Sequence, residues 1–318
     1  MIIENIVEYV GNTPMVKVNY GQDSGANVYL KLEEYNPGAS VKTRIAFQMI
    51  LDAEEQGILT RHSGQIIIEP TGGNTGIGLA IAGAALGYKV VLVTPDNYSQ
   101  EKKDVLRAYG AKVILSDHTK GNDSHVQKVN EMVSEDDQYV YLNQFQNPSN
   151  PHAHFVKTGE EIINDLSREN KKVDVFVAGI GSGGTLIGVG KKLKEVFYEL
   201  SVIGVQPEGC EVLKEKFVPH KIQGIGAVLT SFVEPELIDD VLSVRYEEAL
   251  YWMRYVARNM GILIGISAGA NVAAAVRLAK QMTKDKNIVT IAPDSGRSYL
   301  DLFVDESEAS AEEPFAIV

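Results

Sequence analysis

Cysteine is almost absent from this chain. Cys210 is the one thiol among 318 residues, so no internal disulfide can form and a reducing compartment suits the protein. Long apolar runs are also missing. The most apolar stretch, 261 to 276, is short, rich in Gly and Ala, and interrupted by Ser267 and Asn271, which rules it out as a membrane span. Positive charge is in deficit, with 30 Lys and Arg against 42 Asp and Glu and a net charge of -12. That balance argues against a nucleic-acid partner and against an anionic membrane surface. Glu4 and Glu8 stand where a leader would carry basic residues, so no signal peptide and a cytoplasmic location are expected. Metal-ligand spacing is lacking too. His152 and His154 lie two apart in a Pro- and Asn-rich stretch, read as surface or loop histidines, and no metal is expected. No fixed-period repeat and no Pro- or Ser-rich linker occurs, so if there are two domains they pack intimately.

What is present is an ordinary globular composition, 44% hydrophobic and 23% charged, in regular alternation. Ile66 to Ile68 reads as a strand, followed by the polar loop 70 to 76 and an Ala-rich helix to Leu86 closed by Gly87. Strands over 90–93, 113–115, 139–142, 174–178, 202–205, 262–264 and 287–291 alternate with helices over 99–109, 124–133, 186–196, 247–260 and 268–282. Such alternation predicts an α/β chain of two packed domains, with parallel-rich twisted sheets flanked by helices. Ligands in such folds gather at the carboxyl ends of strands, where the loops 70–76, 143–150, 179–185, 265–269 and 293–298 fall. Asp305, Glu306, Glu308, Glu312 and Glu313 make 305–318 an acidic tail, read as solvated and disordered.

Five stretches carry candidate chemistry. In Asn36-Pro37-Gly38-Ala39-Ser40-Val41-Lys42, the turn and the capping serine place Lys42 in the first turn of an amphipathic helix that runs to Gly57. A lysine near the positive end of a helix dipole, beside apolar surface, loses its proton more readily, as an amine nucleophile must. Taken alone, a solvated lysine at a helix start is the ordinary reading. Gly179 to Thr185 lies between a strand and a helix, and its glycine-freed N–H groups suit a phosphate. Both a dinucleotide and a single phosphate monoester remain open there, because the G-x-G-x-x-G spacing is only partly met. Gly265-Ile266-Ser267-Ala268-Gly269 matches a hydrolase nucleophile elbow, yet all six histidines precede Ser267, so the order serine, acid, histidine fails. Ser267 can still act as a hydrogen-bond partner for a heteroatom of a bound ring. Asn74 and Gln144 are neutral amides suited to orienting a carboxylate or phenolic oxygen.

A Schiff-base lysine, a single-phosphate cradle and a neutral partner for a ring nitrogen together describe a pyridoxal-phosphate site. From Gly11-Asn12-Thr13-Pro14 to about Leu302, the chain resembles the cysteine synthase (O-acetylserine sulfhydrylase) and cystathionine β-synthase family of fold-type II pyridoxal 5'-phosphate enzymes, which are tryptophan synthase β-like. The resemblance implies that Lys42 is the internal-aldimine lysine and the base at the substrate α-carbon. It implies that Asn74 bonds the cofactor's phenolic oxygen, that Gly181, Ser182, Gly183, Gly184 and Thr185 bind the phosphate, and that Ser267 meets the pyridine nitrogen. Thr71, Gly72, Gly73, Thr75 and Gln144 would line the place of the substrate carboxylate, and the 221–227 stretch, with Gly224 and Ala227, the entrance. The implied domains are 1–40 with 151–304, larger and phosphate-binding, and 41–150, smaller, mobile and substrate-binding.

The activity implied is β-replacement through an aminoacrylate, first O-acetylserine plus sulfide giving L-cysteine and acetate. A serine at the ring nitrogen, unlike a carboxylate, favours prompt loss of a β leaving group. The alternatives are homocysteine or cysteine as acceptor, cysteine β-elimination releasing hydrogen sulfide, or a non-catalytic binding relative, which the complete Lys42 motif speaks against. The partners implied are an amino acid, a thiol or sulfide, and a second copy in a homodimer. Two positions depart from the family pattern: Gly72, where Ser is common, and Val228, where Gly is usual. Gly72 removes a hydroxyl near the substrate and frees the loop backbone.

Overall fold

The computed structural model describes residues 2–21, 25–121, 123–226 and 228–304. Ala227 and the acidic tail expected over 305–318 lie outside the described residues. The strands in chain order are β1 (Met15–Lys17), β2 (Asn27–Leu32), β3 (Ile66–Glu69), β4 (Lys89–Pro95), β5 (Lys112–Ser116), β6 (Tyr139–Tyr141), β7 (Val175–Gly179), β8 (Ser201–Pro207), β9 (Asp240–Val244) and β10 (Asn287–Ala292). The helices are α1 (Lys42–Glu55), α2 (Asn74–Leu86), α3 (Gln100–Ala108), α4 (Ser124–Glu135), α5 (Ser149–Ala153), α6 (Glu160–Ser167), α7 (Gly184–Val196), α8 (Tyr246–Met260) and α9 (Ile266–Ala279).

Two compact units divide the chain, the first formed by 1–12 with 35–154 and the second by 13–34 with 155–318. In the first, a four-stranded sheet has the order β5-β4-β3-β6, with every pairing parallel. Its strands are apolar on both sides because both faces are covered. Ile67, Val90 and Leu92 join the core with Ile45, Met49 and Leu79 of α1 and α2, while the alternate residues Ile68, Val91 and Val93 pack with Val129 of α4. Residues 1–12, expected with the larger domain, pack in this smaller unit. Val10 enters its core, and the Asn5 side-chain amide donates to the Ala85 carbonyl at 3.0 Å.

The second unit holds a six-stranded sheet of order β1-β2-β10-β7-β8-β9, in which only the β1 and β2 pair is antiparallel. Val175 and Val177 of β7 face α8 and α9, while Phe176 and Ala178 face the core that contains Leu186 and Val189 of α7. Three strands escape the sequence pattern. β1, β2 and β9 are short or interspersed with charge, and Lys31 inside β2 is fully buried, where its ammonium pairs with Glu161 at 3.0 Å. The strand expected over 262–264 reduces to a single bridge between Ile264 and Ser295, because the chain turns at once into α9.

Candidate active site

In the first unit the candidate residues lie on and around the N-termini of α1 and α2. Lys42 is the first residue of α1, with Val41 rather than the expected Ser40 at the N-cap; the Lys42 backbone N–H donates to Ser40 Oγ at 3.3 Å, two residues back. The turn before it is held from three sides. Asn36 Oδ1 accepts from the Gly11 N–H at 2.9 Å, the Thr43 hydroxyl donates to the Pro37 carbonyl, and Gly38, at φ +80°, leaves no room for a Cβ beside Ile77 and Ile81 of α2. α2 packs closely because Gly78 meets the Lys42 backbone, where a Cβ would stand 3.0 Å from the Lys42 carbonyl oxygen. Lys42 is half-buried and is followed by the buried Thr43 and Arg44.

β3 and β6 are parallel neighbours, with Ile68 opposite Tyr141, and this pairing brings the 70–76 loop beside the 143–150 loop. The Thr75 hydroxyl donates to Gln144 Oε1 at 2.6 Å across 69 residues, both side chains being buried. Beneath them is a residue that the sequence reading passed over. Glu69, fully buried at the end of β3, accepts the backbone N–H of Gln144 on one carboxylate oxygen and that of Asn143 on the other, both at 3.0 Å. Asn143 adopts a left-handed φ of +54°, and the carboxylate ties it in that conformation. Burial pushes the Glu69 carboxyl from the usual 4.5 up to about 7, against the lowering effect of the two N–H donors. A glutamate in line with three isoleucines at a strand end is the signal that would have found it.

Between pH 4.5 and about 7 the folded protein holds the Glu69 proton more tightly than the unfolded chain, so this group's contribution to stability falls as pH rises and levels off above 7. The size is about 3 kcal/mol. Urea unfolding at pH 5 and pH 8 should show that drop in the wild type relative to Glu69→Gln, whose lost acceptor costs the same at either pH. Identical pH slopes for the two proteins would refute it.

In the second unit the loop after β7 runs into α7. Gly183 caps α7 with φ +83°, a conformation glycine adopts without strain, and a Cβ on it would collide with the Val233 side chain. A Cβ on Gly181 would run into the Gly224 carbonyl oxygen. The loop is pinned from outside. The Gly226 N–H donates to the Ile180 carbonyl at 2.8 Å, and the Thr230 hydroxyl donates to the Ser182 carbonyl at 2.6 Å. Ser267, 5% exposed in the first turn of α9, places its Oγ 3.9 Å from where a Gly224 Cβ would stand. The structure therefore brings Gly181 to Thr185, Gly224 and Ser267 together within this unit. A helix N-terminus with backbone approach that no side chain could share, next to a buried hydroxyl, fits a phosphate monoester carried on a ring.

Asp294, inside the loop expected over 293–298, and Tyr299, just beyond it, flank the same turn. The Tyr299 hydroxyl donates to Asp294 Oδ2 at 2.9 Å, and a Cβ on Gly265 would strike the Asp294 carboxylate. Burial and this carboxylate push the Tyr299 phenol upward. Cys210 is buried, with Sγ 3.9 Å from the Gly226 carbonyl, which suits packing rather than attack. Of the two neighbouring histidines, His154 is fully buried, contrary to its reading as a surface or loop residue, because it sits where α5 continues into a further helical segment. His152 is half-exposed beside Asp52 at 3.4 Å. Among the described residues Asp96, Asp117 and His118 form one exposed cluster with metal-ligand geometry, and the 2.6 Å contact of His118 Nδ1 with Asp96 accounts for its closeness.

Known proteins resemble this chain over most of its length. The family described as pyridoxal-phosphate dependent enzymes matches residues 6–294. The cysteine synthase of Staphylococcus aureus is 42% identical over 301 residues, which cover 94% of this chain and 96% of that protein. A hydrogen sulfide-producing enzyme from Fusobacterium nucleatum superposes with a TM-score of 0.87 at 40% identity, over 94% of this chain and 98% of that one. O-acetylserine sulfhydrylase isoform 3 from Entamoeba histolytica superposes with a TM-score of 0.90 at 38% identity, over 98% and 93% of the two chains.

Proposed function

This chain belongs to the pyridoxal-phosphate dependent enzyme family, and we propose that it catalyses β-replacement on O-acetylserine, with sulfide as acceptor, to give L-cysteine and acetate. The observation that carries the reading is the phosphate-shaped loop 181–185 with the buried Ser267 hydroxyl beside it in one unit, in a chain 42% identical to a cysteine synthase. Bound pyridoxal phosphate supplies the electron sink that acidifies the substrate α-carbon.

The chain's own residues do the rest. Lys42 would hold the cofactor covalently, and its amine would serve as the base for the substrate α-proton. Asn74 donates to the phenolic oxygen. Thr71, Gly73, Thr75 and Gln144 hold the amino acid's carboxylate, with Gln144 set by Glu69 from below and by the Thr75 hydroxyl. Gly181 to Thr185 would hold the phosphate, and the Ser267 hydroxyl would meet the ring nitrogen. Gly224, and Val228 at 36% exposure, border the entrance.

Among the described residues no helix is long and apolar enough to cross a membrane. A cytoplasmic location and a homodimer belong to the same proposal; the single buried thiol supports the first.

The deciding experiment gives purified enzyme O-acetylserine, then sulfide, and measures cysteine and acetate. Release of both in equal amounts supports the reading. Hydrogen sulfide evolved from cysteine alone, with O-acetylserine inert, would replace it with β-elimination, as the name of the hydrogen sulfide-producing relative suggests. Sedimentation of the same sample as a monomer would remove the homodimer.

A further inference from the structure

Position 72 bears no side chain, yet its place is filled. Gly72, Gly76 and Gly83, spaced four and seven apart along the loop and α2, face Thr94, Leu92 and Val90 of β4 in that order. A Cβ on Gly76 would stand 3.2 Å from Leu92, and one on Gly83 would strike Val90. The last rung differs in kind. A Cβ on Gly72 would collide with the Thr94 hydroxyl oxygen and lie 2.7 Å and 2.9 Å from the edge of the Tyr98 ring. Where the alternation of β4 calls for a third aliphatic side chain, it puts a hydroxyl.

That hydroxyl is unusual. Thr94 is 0% exposed, and its Oγ1 has no hydrogen-bond partner among the described residues. A buried hydroxyl without a partner lowers stability, and a valine of the same shape would not. Tyr98, 38% exposed, closes the other side of the space and is itself backed by Lys102, whose ammonium lies 5.7 Å from the ring centre. Above them Gly72 and Gly73 are consecutive glycines, so the backbone nearest the hydroxyl is free to reorient.

We propose that Thr94, braced by Tyr98, supplies from β4 the side-chain function that position 72 lacks, its hydroxyl donating a hydrogen bond to the Thr71–Gly73 backbone when that loop receives an amino acid. Thr94 is a positioning residue, and the inference rests on the reading of this loop as the amino-acid carboxylate site. It also gives Gly72 a reason. Any larger residue there would compete with Thr94 and Tyr98 for one volume.

The test uses the holoenzyme with O-acetylserine as probe, following KM, kcat, spectral titration and melting temperature. Thr94→Val should bind O-acetylserine about tenfold more weakly, with KM rising more than kcat falls, while melting about 2 °C higher. Thr94→Ser should restore binding. Gly72→Ser should weaken binding on its own, and Gly72→Ser with Thr94→Ala should bind better than the two single effects added together. A Thr94→Val enzyme that binds O-acetylserine like wild type, a Thr94→Ser enzyme no better than Thr94→Val, or a silent Gly72→Ser would overturn the inference with the loop assignment intact. A wild-type enzyme that takes no O-acetylserine would remove the loop assignment itself, and this inference with it.

Discussion

Lys42→Ala should lower turnover of O-acetylserine by roughly 10³-fold or more, while the protein keeps its fold and melting temperature. The magnitude follows from losing a nucleophile and a base in one side chain. The fold should survive because what positions Lys42 is backbone and its neighbours. Ser40 Oγ accepts from the residue 42 N–H, Thr43 ties down Pro37, and Gly78 admits the residue 42 carbonyl, and none of these contacts uses the lysine ammonium. The variant should hold pyridoxal phosphate only reversibly, so dialysis would strip its colour and added cofactor would restore it. An alanine variant that retains the cofactor through dialysis and turns over at even a tenth of the wild-type rate would place the covalent link and the base on another residue.

Gly181→Ala should weaken pyridoxal phosphate retention by roughly 100-fold, about the loss of two charge-assisted backbone hydrogen bonds. The new methyl has nowhere to go. Its nearest neighbour is the Gly224 carbonyl oxygen, which is backbone and cannot swing aside, and the adjoining segment is held by the Gly226 N–H on the Ile180 carbonyl at 2.8 Å. The 180–184 loop must therefore move away from 224–226, and its N–H groups lose their common aim. Gly73→Ala is the control. A Cβ there meets nothing within 4 Å, so it should leave cofactor retention unchanged whatever it does to amino-acid binding. Equilibrium dialysis of cofactor against the three proteins decides the matter; equal retention by Gly181→Ala and wild type would mean the phosphate lies elsewhere.

Much of the site was legible in the chain because each part is a local motif. The 36–42 turn, the glycine loop before α7 and the Gly265–Gly269 turn are contiguous stretches whose conformation depends on their own residues, and the structure folds each at a helix N-terminus. Parallel strands buried on both faces likewise announce themselves as apolar runs. The edge strands β1 and β9, and β2 beside β1, were less visible. β9 and β1 are half-covered, and β2 hides a lysine whose charge is neutralised by acidic groups more than a hundred residues away.

The sequence by itself determined the α/β alternation, the order of the motifs and the identity of the groups that carry charge and hydrogen bonds. The tertiary structure alone decided which of them meet. Glu69 reaches the backbone of Asn143 and Gln144 because β3 and β6 pair in parallel, Gly181 abuts Gly224 because two loops cross, and Thr94 lies under Gly72 because α2 crosses β4 in one register. A spacing along the chain encodes conformation over a few residues, whereas burial, a displaced carboxyl pKa or an unpartnered hydroxyl is a property of what distant segments bring to one place.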